Sequence, residues 1–334
     1  MNQTHIKNIN IKRICVLRLS AIGDVLMALP AITAIQKKYP QAKITWVVNS
    51  LEAELLKNIS GLEIIVFDKK NGFKELFVLR KKLKNYVFDV LLHMQPTLRA
   101  NLVSLVIKAK IKLGFNQSKE GQFLFVNQKL PKVKNNNIHF VDGFMQFAKE
   151  LDCDDVVSFP NLLTDKDEVF AKQYINNKTL VINTCASGSF VYRNWHKDNF
   201  VKLLNKIPQN IPIVLVGGKT QFEQETNQYI CENTSNVLNL TGKTDLIQLV
   251  AIIKQAKVLL SVDSAPVHIA DMVKTPVISL FGATNPKQTG SYFYPQHCIS
   301  SYPKIKKWGK RFKSTKFMES ITVNLVHQKI IQFY

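Results

Sequence analysis

The chain has 334 residues, a formal net charge of +21 and a hydrophobic fraction of 46%. This length and composition suit a globular protein of two ordinary domains, and no apolar run reaches the roughly 18 to 20 residues needed to cross a bilayer. The five cysteines are scattered and include no CxxC pair, which argues against a zinc site or a disulfide framework and favours a reducing compartment.

The first half of the chain alternates between short apolar runs, typical of buried strands, and segments with helical periodicity. Such alternation is typical of a parallel sheet with helices on both faces. Strands are predicted at 12–19, 44–48, 64–67 and 87–92, and helices at 25–39, 51–59, 73–83, 98–108 and 140–151.

A segment rich in Pro, Asn, Asp and Lys at 159–167 predicts a linker between two domains, 1–162 and 163–334. The alternation then resumes, so the fold class is predicted as α/β with two nucleotide-binding sheets that face each other across a cleft. Strands are predicted at 179–183, 213–216, 237–240 and 258–262, and helices at 197–206, 222–232, 246–255 and 320–333.

Asp24 lies in the sequence LSAIGDVL at 19–26, directly after the first strand and at the start of the first helix. Ligands of α/β proteins bind at such carboxyl ends of strands. This position makes the Asp24 carboxylate a candidate site residue. The alternative, that Asp24 only caps its helix, stays open because Asp is a favourable capping residue.

The segment CASGSFVYRNW at 185–195 connects a predicted strand to a helix. Its small and hydroxyl residues, with Arg193 nearby, suit a diphosphate, which binds backbone donors and a fixed cation. Alternatively, Arg193 is a surface arginine beside a buried Trp195.

The stretch VLLSVDSAPVHIADMVKTPVISLFGATNP at 258–286 predicts a strand, a polar turn, a short helix that begins near Pro266, and a second strand. The free N–H groups of a helix start bind anions, and His268 follows about one turn later. The pattern predicts a phosphate or nucleotide site. Equally, it fits an ordinary turn with Ser264 as the helix cap and His268 as a core histidine.

This last stretch resembles the signature of glycosyltransferase family 9, the bacterial ADP-heptose:lipopolysaccharide heptosyltransferases, with Ala265 where the family has Gly. The resemblance extends over nearly the whole chain. It implies the GT-B architecture of two Rossmann-like domains facing each other across a cleft, an N-terminal acceptor domain, a C-terminal nucleotide-sugar domain, and a last helix that crosses back to the first domain.

The same resemblance implies an inverting, metal-independent transfer of heptose from ADP-heptose to the lipopolysaccharide inner core, without any cofactor. Asp24 matches the family's proposed base, and Arg193 replaces the usual Lys that balances charge on the departing ADP. Departures at Ala265, Pro96 and Gln221 leave another nucleotide sugar open as donor. The implied donor-binding residues are Ser187, Ser189, Arg193, Gln221, Thr244, Asp263, Ser264, Ala265 and His268, and the implied acceptor-binding residues are Ser20, Gln95, Arg99 and His139.

The positive charge is dense at 80–84 and at 304–316. Such runs attract polyanions, or are simply solvated faces. The polar start of the chain does not resemble a signal peptide, so we expect a cytoplasmic protein. The family resemblance implies that it works at the inner face of the inner membrane. The expected partners are a nucleotide-sugar donor, the lipopolysaccharide core and lipid A acceptor, and anionic lipid. No nucleic-acid-binding motif is apparent, so we expect no nucleic-acid partner. The alternative to an enzyme is a non-catalytic protein that binds nucleotides or polyanions.

Overall fold

Each half of the chain builds its own parallel sheet. The computed structural model describes residues 10–116, 120–132, 138–186, 190–303 and 311–334. The described residues up to Leu162 form the first unit, and Leu163–Tyr334 form the second. The stretch that ends at His139 is an exception, because it groups with the second unit.

The sheet of the first unit has the strand order β3-β2-β1-β4-β5-β6, with all neighbours parallel. The order reverses direction between β1 and β4, which is the switch point where ligands of open α/β sheets bind. The strands are β1 (Arg13–Leu17), β2 (Lys43–Val48), β3 (Leu62–Val66), β4 (Phe88–His93), β5 (Ala109–Gly114) and β6 (Gln128–Lys129).

Helices connect these strands and cover the sheet. One core cluster joins Leu17 of β1 and Leu91 of β4 to residues of the covering helices, among them Leu79 and Val103. Burial of these apolar side chains is the main stabilising contribution to the layered arrangement. The helices are α1 (Ile22–Lys38), α2 (Ser50–Leu56), α3 (Lys74–Lys82), α4 (Leu98–Val106) and α5 (Phe140–Glu150).

The second sheet has the strand order β9-β8-β7-β10-β11-β12 and is also fully parallel. It thus repeats the order of the first sheet, with its switch point between β7 and β10. The strands are β7 (Leu180–Asn183), β8 (Ile213–Val216), β9 (Val237–Asn239), β10 (Val258–Val262), β11 (Val277–Phe281) and β12 (Cys298–Ser300).

The helices of the second unit enclose a core that contains Trp195, Phe200 and the apolar residues of its strands. The last helix contributes Val326 and Ile330 to this core and packs against α7. The helices are α6 (Asp165–Lys172), α7 (Lys197–Leu204), α8 (Gln221–Glu232), α9 (Leu246–Gln255), α10 (Ala265–Val273), α11 (Pro286–Thr289), α12 (Lys316–Glu319) and α13 (Val323–Ile331).

Two local details differ from the sequence analysis, although the two units divide after Leu162, inside the predicted linker. The segment predicted as one helix at 98–108 ends as α4 at Val106, and the next residues form β5, which the sequence analysis missed. The predicted linker at 159–167 contains the start of α6, where the Thr164 N–H and hydroxyl both donate to Asp167. These hydrogen bonds to the Asp167 side chain fix the start of a helix inside a segment whose composition resembles a loop.

None of the helices in the described part of the chain has the length and apolar character needed to cross a bilayer.

Candidate functional site

Asp24 lies at the β1–β4 switch point and forms an ion pair with Arg18. The Asp24 carboxylate is 28% exposed, whereas the Arg18 side chain is 9% exposed. Arg18 also donates to the Met94 carbonyl (2.8 Å), and its guanidinium lies over the Phe144 ring, 5.4 Å from the centroid. Arg18 is therefore held by the protein on several sides and fixes a carboxylate that remains open to solvent.

Asp24 also contacts the start of its own helix, because the Ala21 N–H donates to its Oδ2 at 3.4 Å. This long hydrogen bond supports part of the capping alternative. The charge-assisted contact with Arg18 is the stronger of the two.

Gln95 fixes the loop that leads to Asp24. Its Oε1 accepts hydrogen bonds from the Leu19 N–H (2.7 Å) and the Ser20 N–H (3.3 Å). The Trp46 indole donates to the Arg18 carbonyl (3.1 Å) on the other side. The structure thus brings together three of the predicted residues, Ser20, Asp24 and Gln95.

Two further acceptor candidates make no hydrogen bond to this cluster among those that the described residues show. Arg99 is exposed in the first turn of α4. His139 is half-buried in the stretch that groups with the second unit, with Nε2 3.0 Å from the Gly290 carbonyl and its ring against Tyr292. Their roles in acceptor binding remain predictions.

Arg193 and Asp263 form the corresponding ion pair at the β7–β10 switch point, with Arg193 Nε 3.3 Å from Asp263 Oδ2. Here the carboxyl is the more buried partner, at 6% exposure against 14% for the arginine. Thr284 donates a hydrogen bond to Asp263, and the Arg193 guanidinium lies 4.4 Å from the centroid of the Phe190 ring. Asp263 and Phe190 together hold the guanidinium in place.

Burial raises the pKa of Asp263 above its usual value, because a charged carboxylate loses hydration inside the protein. The nearby Arg193 guanidinium and the Thr284 hydroxyl both lower this pKa and so oppose the rise. The guanidinium therefore favours the charged form of a carboxyl that burial disfavours.

The turn after β10 is tied to the end of β7. The Asn183 amide donates to the hydroxyls of Ser264 (2.8 Å) and Ser261 (3.2 Å). Ser264 occupies the cap position of α10 but makes no capping hydrogen bond with its side chain, so the alternative of a simple Ser cap is wrong. Its hydroxyl donates instead to the Val262 carbonyl.

The remaining donor candidates differ in their positions. Ala265 is the first residue of α10, where a helical backbone suits alanine, and His268 is buried in the same helix. Gln221, at the start of α8, is exposed and donates to Glu225 (2.6 Å), while Thr244 is half-buried after β9. Ser187 and Ser189 lie outside the described residues.

The sequence analysis missed Arg18, Thr284 and Phe190. For Arg18 a signal exists, because a lone arginine follows the apolar run of β1 at the carboxyl end of the strand. Thr284 lies in the turn after β11, which is the parallel neighbour of β10. The turns that follow these two strands therefore lie at the same edge of the sheet. No local pattern marks Phe190.

Within the ranges that the structure describes, no group of three His, Cys, Asp or Glu side chains is arranged to hold a metal ion. Metal-independent transfer remains a prediction.

Comparisons with known proteins agree with the fold and the sequence pattern. The model of glycosyltransferase family 9 (heptosyltransferase) matches residues 76–320. The lipopolysaccharide core heptosyltransferase OpsX of Haemophilus influenzae is 36% identical over 94% of this chain and 95% of its own length. Lipopolysaccharide heptosyltransferase 3 of Escherichia coli K12 is 26% identical over 79% of this chain and 80% of its own length.

Two solved structures share the fold. A family 9 glycosyltransferase from Veillonella parvula superposes with a TM-score of 0.81 at 20% identity, over 98% of each chain. The E. coli heptosyltransferase WaaC with ADP superposes with a TM-score of 0.74 at 21% identity, over 96% of this chain and 100% of its own. The predicted fold class, α/β of the GT-B type with two Rossmann-like domains, is confirmed. With a matching family model and a relative similar over nearly its full length, this chain belongs to glycosyltransferase family 9.

Proposed function

We propose that this protein transfers heptose from ADP-heptose to the inner core of lipopolysaccharide. The observation that carries the proposal is the 36% identity, over 94% of the chain, to a lipopolysaccharide core heptosyltransferase. Two charged clusters at the two switch points support it, because each provides one of the chemical groups that glycosyl transfer requires.

Asp24 is the general base of the proposed reaction. The oxygen of the acceptor hydroxyl forms a bond to the anomeric carbon of the heptose, and the hydroxyl proton passes to the Asp24 carboxylate. The bond from the anomeric carbon to the diphosphate oxygen breaks, and ADP leaves with its electron pair. Because the acceptor attacks from the face opposite ADP, the configuration at the anomeric carbon is inverted. Arg18 orients the carboxylate through their ion pair.

Arg193 balances the negative charge that builds up on the departing diphosphate. Because the buried Asp263 and the Phe190 ring already fix the guanidinium, little reorganisation is needed as the charge develops. Asp263 is therefore a positioning residue for Arg193, and the start of α10 supplies backbone N–H groups to the same anion. The proposed reaction uses ADP-heptose as the donor substrate and needs no cofactor.

The acceptor is attached to lipid A, so the protein works in the cytoplasm at the inner face of the inner membrane. The net charge of +21 supports contact with anionic lipid and with the acidic Kdo or phosphate groups of the acceptor.

The test is an in vitro assay of the purified protein with a lipid A acceptor that carries Kdo but no heptose. ADP-heptose, UDP-sugars and GDP-sugars are supplied separately, and the product is identified by mass. We expect one heptose to be added from ADP-heptose and ADP to be released in equal amount. Transfer only from another nucleotide sugar would contradict the proposed donor, and binding of nucleotide without any transfer would favour the non-catalytic alternative.

A further inference from the structure

The α3 segment of the first unit exposes two large aromatic side chains to solvent. Phe73 and Phe77 are each 74% exposed, and Val78 is 42% exposed. In α3 the fully buried Leu79 faces the core of the unit, and at 100° per residue the two phenylalanines lie on the opposite side of the helix. This apolar surface is therefore not needed for the core.

Cations surround these apolar residues. Residues 69–84 contain seven Lys and Arg but a single acid, Glu75. Glu75 is buried and accepts a hydrogen bond from Asn71 (2.8 Å). In the described part of the chain, Lys74, Lys81 and Lys84 form no ion pair, and all three are exposed. The outward side of α3 is therefore both apolar and strongly positive.

We propose that this α3 face, formed by Phe73, Phe77, Val78, Lys74, Lys81 and Lys84, docks on an anionic lipid bilayer. Exposed aromatics on a surface helix insert at the boundary between headgroups and acyl chains. The lysines extend their aliphatic stems along the apolar layer and keep their ammonium groups at the level of the anionic headgroups. The two kinds of residue thus bind to two adjoining layers of one membrane surface.

The position of the face in the fold suits a lipid-borne acceptor. Helix α3 packs against α4, whose first turn carries the acceptor candidate Arg99. This part of the argument rests on the proposed function, whereas the binding of α3 to lipid does not. A protein partner is less well matched, because the face combines lysines that have no fixed ion pair with protruding phenylalanines, an arrangement suited to a fluid anionic surface.

The experiment measures co-flotation of the full-length protein with vesicles of phosphatidylcholine, with and without phosphatidylglycerol. The variants are Phe73→Ser/Phe77→Ser and Lys74→Gln/Lys81→Gln/Lys84→Gln. We expect the wild type to bind the anionic vesicles and to release at high salt. Each phenylalanine removed should weaken vesicle binding about tenfold, and the lysine variant should lose most of the dependence on phosphatidylglycerol.

Matched controls lie in the second unit. Leu325→Ser removes a 48% exposed apolar side chain from α13, and Lys178→Gln/Lys202→Gln/Lys257→Gln removes the same charge from exposed positions. We expect both controls to bind vesicles like the wild type. Equal loss in the controls, or unchanged vesicle binding of the phenylalanine variant, would overturn the proposal, and the latter result would assign the face to a protein partner.

Transfer assays separate this inference from the proposed function. The phenylalanine variant should act like the wild type on the core saccharide freed from its lipid, and more slowly on the same acceptor in vesicles. Equal rates on both acceptors would contradict membrane docking through α3. Absence of transfer by the wild type to either acceptor would contradict the proposed function and leave the vesicle-binding result standing.

Discussion

The two switch points contain the same kind of ion pair with opposite burial. In the first unit the arginine is the buried partner, so the pair presents the Asp24 carboxylate to solvent. In the second unit the carboxyl of Asp263 is the more buried partner, and the pair presents Arg193. One strand order thus exposes a carboxylate in one half and a guanidinium in the other, according to which partner of the ion pair is buried.

The largest expected effect tests the exposed carboxylate. Asp24→Ala should slow turnover about 10²-fold or more, the range for loss of a general base, while ADP still binds. Loss of the carboxylate leaves the Arg18 side chain, 9% exposed, without its counter-ion, so it should also lower the free energy of unfolding by about 1 to 3 kcal/mol. Initial rates, ADP titration and urea unfolding measure the three quantities.

Asp155→Ala is a matched control for this variant, since it removes an exposed acid that pairs with Lys149 at 2.8 Å in the same unit. Its turnover should equal that of the wild type. Full activity of Asp24→Ala would refute the assignment of the base.

The next prediction tests the second pair. Arg193→Met should lower turnover about 10²- to 10³-fold, as does loss of a group that stabilises developing charge. It should also destabilise the protein by about 3 kcal/mol, because Asp263 is left buried without its counter-ion.

Addition of Asp263→Asn to Arg193→Met should restore most of the lost stability but none of the lost turnover. Rates and urea unfolding of the single and double variants measure both effects. If the double variant is as unstable as Arg193→Met, the unpaired Asp263 carboxyl does not cause the destabilisation of the single variant.

A smaller effect is expected at Arg18, because in the proposed mechanism it acts only by orienting Asp24. Arg18→Met should reduce turnover about ten- to a hundredfold, the range for a misplaced catalytic group, without a change in the KM for the donor. Arg18→Lys, which keeps the charge, should recover part of that loss. A raised donor KM in Arg18→Met would instead indicate a role in donor binding.

The smallest effect concerns pH. Because burial raises the pKa of Asp263 above its usual 3.8, the folded protein holds this proton more tightly than the unfolded chain. The contribution of Asp263 to stability should therefore fall as pH rises from about 4 towards its raised pKa. Asp263→Asn should gain stability relative to the wild type over that interval, in urea unfolding at a series of pH values. A constant difference would show that burial does not perturb this carboxyl.

Strands and helices with strong periodicity could be predicted from the sequence, as the buried β10 and the amphipathic α5 illustrate. Strand β5 was missed because lysines at 108, 110 and 112 interrupt the continuous apolar run that is typical of a fully buried strand. Their alternation with Ala109, Ile111 and Leu113 is nevertheless the period of two that marks a half-buried strand.

The candidate site could be predicted only in part. The sequence places Asp24 and Asp263 each after a strand, and this position alone suggests a site. It does not reveal their partners, because the Arg193–Asp263 pair joins residues 70 positions apart through the sheet. Asp263 was assigned to donor binding from the family resemblance, and nothing in the local pattern indicates its pairing with Arg193.

The short stretch at His139 has a consequence for exchanging parts between relatives. The chain enters the second unit there, places the imidazole against the Gly290 carbonyl and the Tyr292 ring, and returns to the first unit at Phe140. Consider a hybrid enzyme that takes residues up to Leu162 from one relative and the remainder from another. Its segment at His139 would come from the first relative but would pack in a second unit built from the other. Such a hybrid should retain its solubility only when the grafted segment and the 290–292 turn come from the same parent.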